Sequence, residues 1–221
     1  VLTVIVYPFW PRDVQSQTVP STVQISMINH AFTLPLNSLY VCYGFVAMAL
    51  TAHMVFLVDY VARDLNLGLG VGGQIWIAFG LGAMVGPLSV GALAGWIGFR
   101  YALHILLLAM FISIGMLLVD HSLPTLYASA LIVGATVPGV VSVIAGSIHE
   151  LTKSDSSLNK TAWSLSTVAF AVGQAIAAYV YAAMYAAFLE YTPVFQLATA
   201  IALLALIINL FSAHWQNRPS P

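Results

Sequence analysis

Six stretches of this chain run for about 20 residues each with almost no charged side chain, and that is the length a helix needs to cross a bilayer. Charged residues make up 6% of the sequence and hydrophobic residues 61%. A soluble domain carries roughly 25% charged residues, so water could not solvate a surface built from this composition. The chain is therefore predicted to lie in a lipid bilayer and to cross it several times.

The spanning segments are predicted to be helices rather than strands. Residues 102–119 and 198–210 are apolar with almost no alternation of polar and apolar positions. Barrel strands alternate and need only about 10 residues per crossing. The predicted fold class is all-α and multi-pass, with spans at 39–61, 72–97, 101–119, 125–149, 161–188 and 193–213.

The segments outside the six spans differ in composition. An apolar stub ended by Pro8 and Pro11 is followed by a polar stretch without a strong period, which is typical of a linker. The predicted organisation is the end of a truncated preceding transmembrane helix (1–11), a cytoplasmic central linker (12–38), a six-helix bundle (39–213) and a cytoplasmic tail (214–221).

Basic residues predict the orientation, because cytoplasmic loops carry an excess of Lys and Arg. Arg63 alone falls on one side of the predicted bundle, whereas the other side holds Arg12, Arg100, Lys153, Lys160 and Arg218. Both chain ends are therefore expected to be cytoplasmic, in what we expect to be a bacterial inner membrane. Six spans also require the two ends to share a side, so the two observations agree.

Composition argues against several function classes. The formal net charge of −1 offers no basic surface for nucleic acid, and Cys42 is the only cysteine, so no intrachain disulfide can form. We expect no metal and no cofactor. Ser147 and His149 form the only local nucleophile and base pairing, but residues two apart on a helix face different directions. The chain is therefore not expected to be an enzyme.

The second and fifth spans resemble one another. Ala78-Phe79-Gly80-Leu81-Gly82 matches Ala169-Phe170-Ala171-Val172-Gly173 in its pattern of small and large residues. This match predicts two three-helix repeats, and internal repeats are common in transporters.

The second span is rich in glycine at helical spacing. Gly82 and Gly86 form a G-x-x-x-G pair that allows close helix approach, and Gly91 and Gly95 repeat the pattern. Pro87 removes one backbone hydrogen bond and can kink the helix. The pattern predicts a helix-packing surface, with or without a conformational role.

The end of this span resembles a signature of the major facilitator superfamily. The segment Gly91-Ala-Leu93-Ala-Gly95-Trp96-Ile97-Gly98-Phe99-Arg100 is similar to the family loop G-x-L-a-D-R-x-G-R-R. Gly95 and Trp96 replace the acidic residue and the first arginine, while Gly91, Leu93, Gly98 and Arg100 are kept. In the family this loop latches helix ends together, so Arg100 alone could carry a remnant of that role.

This resemblance implies the C-terminal six-helix half of a transporter, from the end of helix six through helix twelve. Tyr43-Gly44-Phe45 and the Gly86-Pro87 helix are similar to the YbfB/YjiJ-like group. The implied function is secondary active transport of a small solute by alternating access, either proton-coupled or uniport, with a missing N-terminal half as partner. The alternative is a self-contained six-helix channel or a membrane subunit without transport activity.

A few polar residues lie within the predicted spans. His53 can change its protonation near neutral pH, so it is a candidate for proton coupling or solute contact, or it is a structurally hydrogen-bonded histidine. Asp59 lies near the outer end of the same span, as a pathway group or a solvated carboxylate. Gln174 is a solute contact or a hydrogen-bonding link between helices.

The fourth span is interrupted by Thr136, Pro138 and Gly139. A proline within a helix frees a backbone carbonyl and allows bending. Thr136 is therefore a pathway candidate, and Pro138 and Gly139 are candidates for a bending point.

Overall fold

The computed structural model describes residues 31–153 and 155–216. The predicted truncated helix at 1–11, linker residues 12–30 and tail residues 217–221 lie outside the described residues. Every long element in the described part is a helix, and six of these helices are long and apolar enough to cross a membrane. The predicted all-α, six-helix fold class is confirmed.

The first helix, α1, changes its winding along its length. It is α-helical over Leu34–Thr51, π-helical over Ala52–Phe56, α-helical over Leu57–Asp59 and π-helical again over Tyr60–Asp64. The other five are α2 (Gly68–Ile97), α3 (Phe99–Gly115, extended by a 3-10 turn at Met116–Leu118), α4 (Leu123–Leu151), α5 (Ser156–Phe188) and α6 (Thr192–Gln216).

Helices begin earlier than the predicted spans where polar residues start them. α5 begins at Ser156 rather than at 161, because Asp155 caps it by accepting hydrogen bonds from the backbone N–H groups of Ser157 and Leu158 at 2.9 and 3.0 Å. α1 begins at Leu34 rather than at 39, with Pro35 in its first turn. A prediction from apolar runs misses these polar and proline-containing first turns.

The six helices pack in a repeated pattern. α2 packs mainly against α4, and α5 packs in the same way against α1. α3 also packs against α4, α6 packs against α1, and α3 meets α6. The second helix of each three-helix unit therefore lies against the first helix of the other, as expected for the two predicted repeats.

Glycines allow the closest of these crossings. A Cβ atom at Gly82 or Gly86 of α2 would overlap backbone atoms of Leu131 or Ala135 on α4. At the α5–α1 crossing, a Cβ at Gly173 would overlap the backbone of Gly44. Gly82 and Gly173 are the matching last residues of the two similar sequence segments, so the repeat in sequence corresponds to a repeat in packing.

The turn between α2 and α3 depends on one glycine. Gly98 has a φ of 84°, a region that side chains with a Cβ rarely adopt. Its N–H closes α2 by donating to the Ala94 carbonyl at 2.9 Å, and α3 starts at the next residue. This tight turn keeps the two apolar helices adjacent at one end of the bundle.

Candidate functional site

The middle of α1 is wound irregularly around a buried histidine. His53 lies in the first π-helical segment, and its side chain is 0% exposed. Single-turn π segments within longer helices occur frequently at functional sites. The irregular turn of α1 contains His53, the histidine predicted to lie deep in this otherwise apolar span.

His53 takes part in a hydrogen-bonded chain between three helices. Its Nε2 lies 2.9 Å from Ser129 Oγ on α4, and Ser129 Oγ donates to the Ser113 carbonyl of α3 at 2.6 Å. Because the Ser129 hydroxyl proton is used there, Ser129 accepts from His53, and Nε2 carries the hydrogen. His53 Nδ1 and Ser113 Oγ are both buried without a hydrogen-bond partner among the described residues.

An aromatic cluster surrounds this histidine on the side of α6. The Phe195 ring meets the His53 ring edge-on at 5.5 Å between centroids, and Tyr60 packs against Phe195 at 4.8 Å. Tyr191 continues the cluster toward the end of the bundle by stacking on Tyr185 at 4.1 Å. Sequence reasoning missed this cluster, because aromatic residues scattered through apolar runs are read only as lipid-compatible side chains.

Asp59 takes part in an ion pair and a hydrogen bond at the end of α1, which we call the Asp59–Tyr191 clasp. Its Oδ1 pairs with Arg63 Nε at 3.1 Å, and its Oδ2 accepts from the Tyr191 hydroxyl at 2.5 Å. The Tyr191 backbone N–H donates to Asp64 Oδ2 at 2.6 Å. Burial, and then the hydrogen bond to Asp59, raise the pKa of Tyr191 above its usual value. Asp59 therefore ties the second π-helical segment to the α5–α6 turn.

Gln174 faces α1 across the α5–α1 contact. Its side chain is half-buried, and its Nε2 donates weakly to Met54 Sδ at 3.8 Å. Met54 immediately follows His53 in the π-helical segment. The structure thus brings Gln174 and His53 to the same irregular turn of α1, although on different sides of the helix.

The other polar candidate, Thr136, is buried and uses its hydroxyl locally. It donates to the Val133 carbonyl of its own helix at 2.7 Å. α4 is continuous through Pro138, and Gly139 provides space for the Val90 side chain of α2. Pro138 and Gly139 thus lie within an unbroken helix, where Gly139 is also a packing position.

Only part of the glycine pattern in α2 packs within this unit. Gly82 and Gly86 lie at the α4 crossing, whereas Gly91 and Gly95 are exposed and a Cβ at either would meet no atom within 4 Å. Pro87 is also exposed. Gly91 and Gly95 repeat the spacing of the first pair, but they lie on the opposite side of α2 and meet no other helix among the described residues.

Among the described residues, no three His, Cys, Asp or Glu side chains come together in a way that could hold a metal ion.

Comparison with known families decides what these helices are. The family model described as "Uncharacterised MFS-type transporter YbfB" matches residues 1–210 and so includes nearly all of the bundle. The chain belongs to this family of MFS-type transporters. No curated protein matches the chain. The resemblance noted in the signature loop is confirmed at the level of the family, and the chain is an integral membrane protein of the transporter class.

The signature loop of this MFS-type transporter has its own geometry. Arg100 borders a cavity of about 130 Å³ between α1, α3, α4 and α6, together with Glu150, Ser147 and Asn209. Gly95 stands at the acidic position of the signature and has no side chain to offer an arginine. The remaining arginine of the signature thus points between helices of the bundle.

Proposed function

We propose that this chain is one six-helix unit of a secondary active transporter that moves a small solute by alternating access. The observation that carries the proposal is the family match over residues 1–210, together with two three-helix repeats related by their packing. In transporters of this superfamily, six-helix halves of this kind move against each other around a site near the bilayer midplane.

The second unit, on this proposal, contacts the uncovered faces of α2 and α5. The exposed positions of α2 include Gly73, Gly80, Gly91 and Gly95. The exposed positions of α5 include small residues in the same repeat register, Ser164, Ala171, Ala182 and Ala186. Small side chains let two helices approach closely in lipid, where no hydrophobic force drives them together. Residues 1–11 would then be the end of the preceding helix, and the residues from 12 up to the start of α1 at Leu34 would be the linker between the units.

The proposed orientation has both ends of the chain in the cytoplasm of a bacterial cell. The α2–α3 and α4–α5 connections would lie on the cytoplasmic side with Arg100, Lys153 and Lys160, and the Asp59–Tyr191 clasp on the outer side. This agrees with the excess of basic residues that cytoplasmic loops carry.

His53 is the proposed position for coupling to protons, with uniport as the alternative. Its Nε2 is held by Ser129, and its Nδ1 has no partner among the described residues. A second proton would enter at Nδ1, and the π-helical turn beside it offers a place where α1 can rearrange.

Solute counterflow tests the proposal. Membrane vesicles from cells that produce the protein are loaded with unlabelled solute from a candidate library, and entry of the labelled solute is compared with vesicles from cells that lack it. A transporter gives transient, saturable accumulation above equilibrium. Unsaturable flow down the gradient would instead indicate a channel, and no flow with any solute would indicate a subunit without transport activity.

A His53→Gln change should abolish any dependence of transport on the pH gradient while leaving counterflow intact. Unchanged pH dependence would exclude His53 as the coupling site.

A further inference from the structure

The faces of α1 and α4 that no other helix covers are almost entirely apolar. On α1, Val41 and Val55 are 49% and 54% exposed, with Met48 half-buried between them. On α4, Leu131 is 47% exposed. Residues 31–58, 68–97, 123–148 and 161–188 contain no Asp, Glu, Lys or Arg.

Hydroxyl groups on α4 and α5 use their hydrogens within their own helices. Ser142 of α4 donates to the Pro138 carbonyl at 3.2 Å, and Thr167 of α5 donates to the Trp163 carbonyl at 2.9 Å. These bonds run within single helices, so the hydroxyls add little polarity to the surfaces. Transferring a charged solute to such a surface would cost several kcal/mol without a partner charge.

Gln174 is a polar group at the α5–α1 contact with unused hydrogen-bonding capacity. Its amide nitrogen faces Met54 Sδ at 3.8 Å, which leaves the carbonyl oxygen Oε1 as an acceptor that no described residue fills. Thioethers such as those of Met48 and Met54 adapt to irregular apolar shapes. Ligand sites in proteins are typically apolar with a few placed polar groups, and this arrangement has that composition.

We propose that the transported solute is uncharged and mainly apolar, and that it carries one hydrogen-bond donor recognised by Gln174 Oε1. This inference rests on the proposed transport function. The α1 and α4 faces would supply apolar contact, and Gln174 would fix the orientation of the solute. Charged solutes of the same size would be rejected by this unit because it offers them no counter-charge at membrane depth.

A matched set of three probes tests the inference on the full chain purified in detergent micelles. N-phenyl-1-naphthylamine is neutral and has one N–H donor, 1-phenoxynaphthalene replaces that N–H by an ether oxygen, and 8-anilino-1-naphthalenesulfonate adds a negative charge. Saturable binding is measured by equilibrium dialysis. We expect the amine to bind more tightly than the ether by about 2- to 10-fold, the range of one neutral hydrogen bond, and the sulfonate to bind most weakly.

The Gln174→Leu variant should remove the preference for the amine over the ether. Gln74→Leu is the matched control, because Gln74 lies near the beginning of α2, where its oxygen accepts from Tyr127 at 2.8 Å, and should not affect the probes. If Gln174→Leu does not fold, the three probes on the unchanged protein still decide the matter. Equal or tighter binding of the sulfonate, or equal binding of amine and ether, would overturn the inference. If only charged solutes show counterflow, the proposed transport function is supported and the proposed solute class is rejected. If the probes bind as expected but no solute shows counterflow, the site is supported and the transport function is rejected.

Discussion

At the scale of single residues, the two serines of the hydrogen-bonded chain His53–Ser129–Ser113 have different roles. The Ser129 hydroxyl accepts from His53 and donates to a carbonyl, whereas the Ser113 hydroxyl is buried without a partner among the described residues. Ser129→Ala should therefore lower the free energy of unfolding by about 1–3 kcal/mol, because it leaves the buried His53 N–H unpaired. Ser113→Ala should be neutral or stabilising. Equilibrium unfolding in mixed micelles measures both, and equal losses would contradict this hydrogen-bond assignment.

Asp120 is a second residue whose role can be measured directly. It lies between α3 and α4 and accepts from the Ser122 N–H at 3.0 Å and from the Ser122 and Thr125 hydroxyls. The hydrogen bonds from Ser122 and Thr125 lower the pKa of Asp120 to about 2. A group with a depressed pKa stabilises the fold above its unfolded value of about 3.9 and loses that contribution as the pH falls toward 2.

We expect the carboxyl carbon of Asp120 to titrate by NMR with a midpoint near 2. The double variant Ser122→Ala, Thr125→Val should move that midpoint up toward about 3.9, the value of an unperturbed Asp. A midpoint that stays low in the double variant would show that hydrogen bonds from these side chains are not its cause.

At the scale of helices, the glycines of α2 should separate into two groups. Ala is favoured over Gly in a helix by about 1 kcal/mol where space is available. Gly91→Ala, on an open face, should therefore be neutral or stabilising. Gly82→Ala should destabilise by about 1–3 kcal/mol, because its Cβ would force α2 away from the Leu131 backbone. Thermal unfolding of both variants provides the comparison. A loss of stability for Gly91→Ala would indicate that another helix packs against Gly91 in the protein.

The same helices show what the sequence could and could not predict. The number and type of the secondary-structure elements follow from the long apolar runs, because each spanning helix must form all of its backbone hydrogen bonds internally in lipid. The G-x-x-x-G spacing predicted close packing, but spacing is the same for Gly82–Gly86 and Gly91–Gly95, and only the first pair meets another helix. Which face is covered depends on the tertiary arrangement. Likewise His53 could be identified as an unusual residue, whereas Ser129 on α4, which accepts from it, and Ser113 on α3, which accepts from Ser129, are distant in sequence.

At the scale of the whole molecule, the repeated packing leaves large parts of α2 and α5 uncovered. Only 33% of the most apolar part of α2 and 17% of that of α5 are buried, against 56% for α1; the value for α6 is also 33%. α1 is enclosed by α5 and α6, and α4 by α2 and α3. α2 and α5 occupy matching positions in the two repeats, and small residues in the same register line both of their open faces. Lipid alone would not require small residues at these positions.

A bulky residue on the open face of α5 should therefore block function without affecting the fold of this unit. Ala171→Leu places an isobutyl group on that face, where small residues allow close approach of a second six-helix unit. We expect counterflow to be lost while thermal stability of the purified chain changes by less than about 0.5 kcal/mol, as for most surface substitutions. Ala200→Leu on α6 is the matched control, since Ala200 is also exposed but lies on a helix outside the proposed contact. Full activity of Ala171→Leu would show that the small residues of α5 meet only lipid, and equal loss in both variants would assign the effect to bulk at the membrane surface of the bundle rather than to a contact between units.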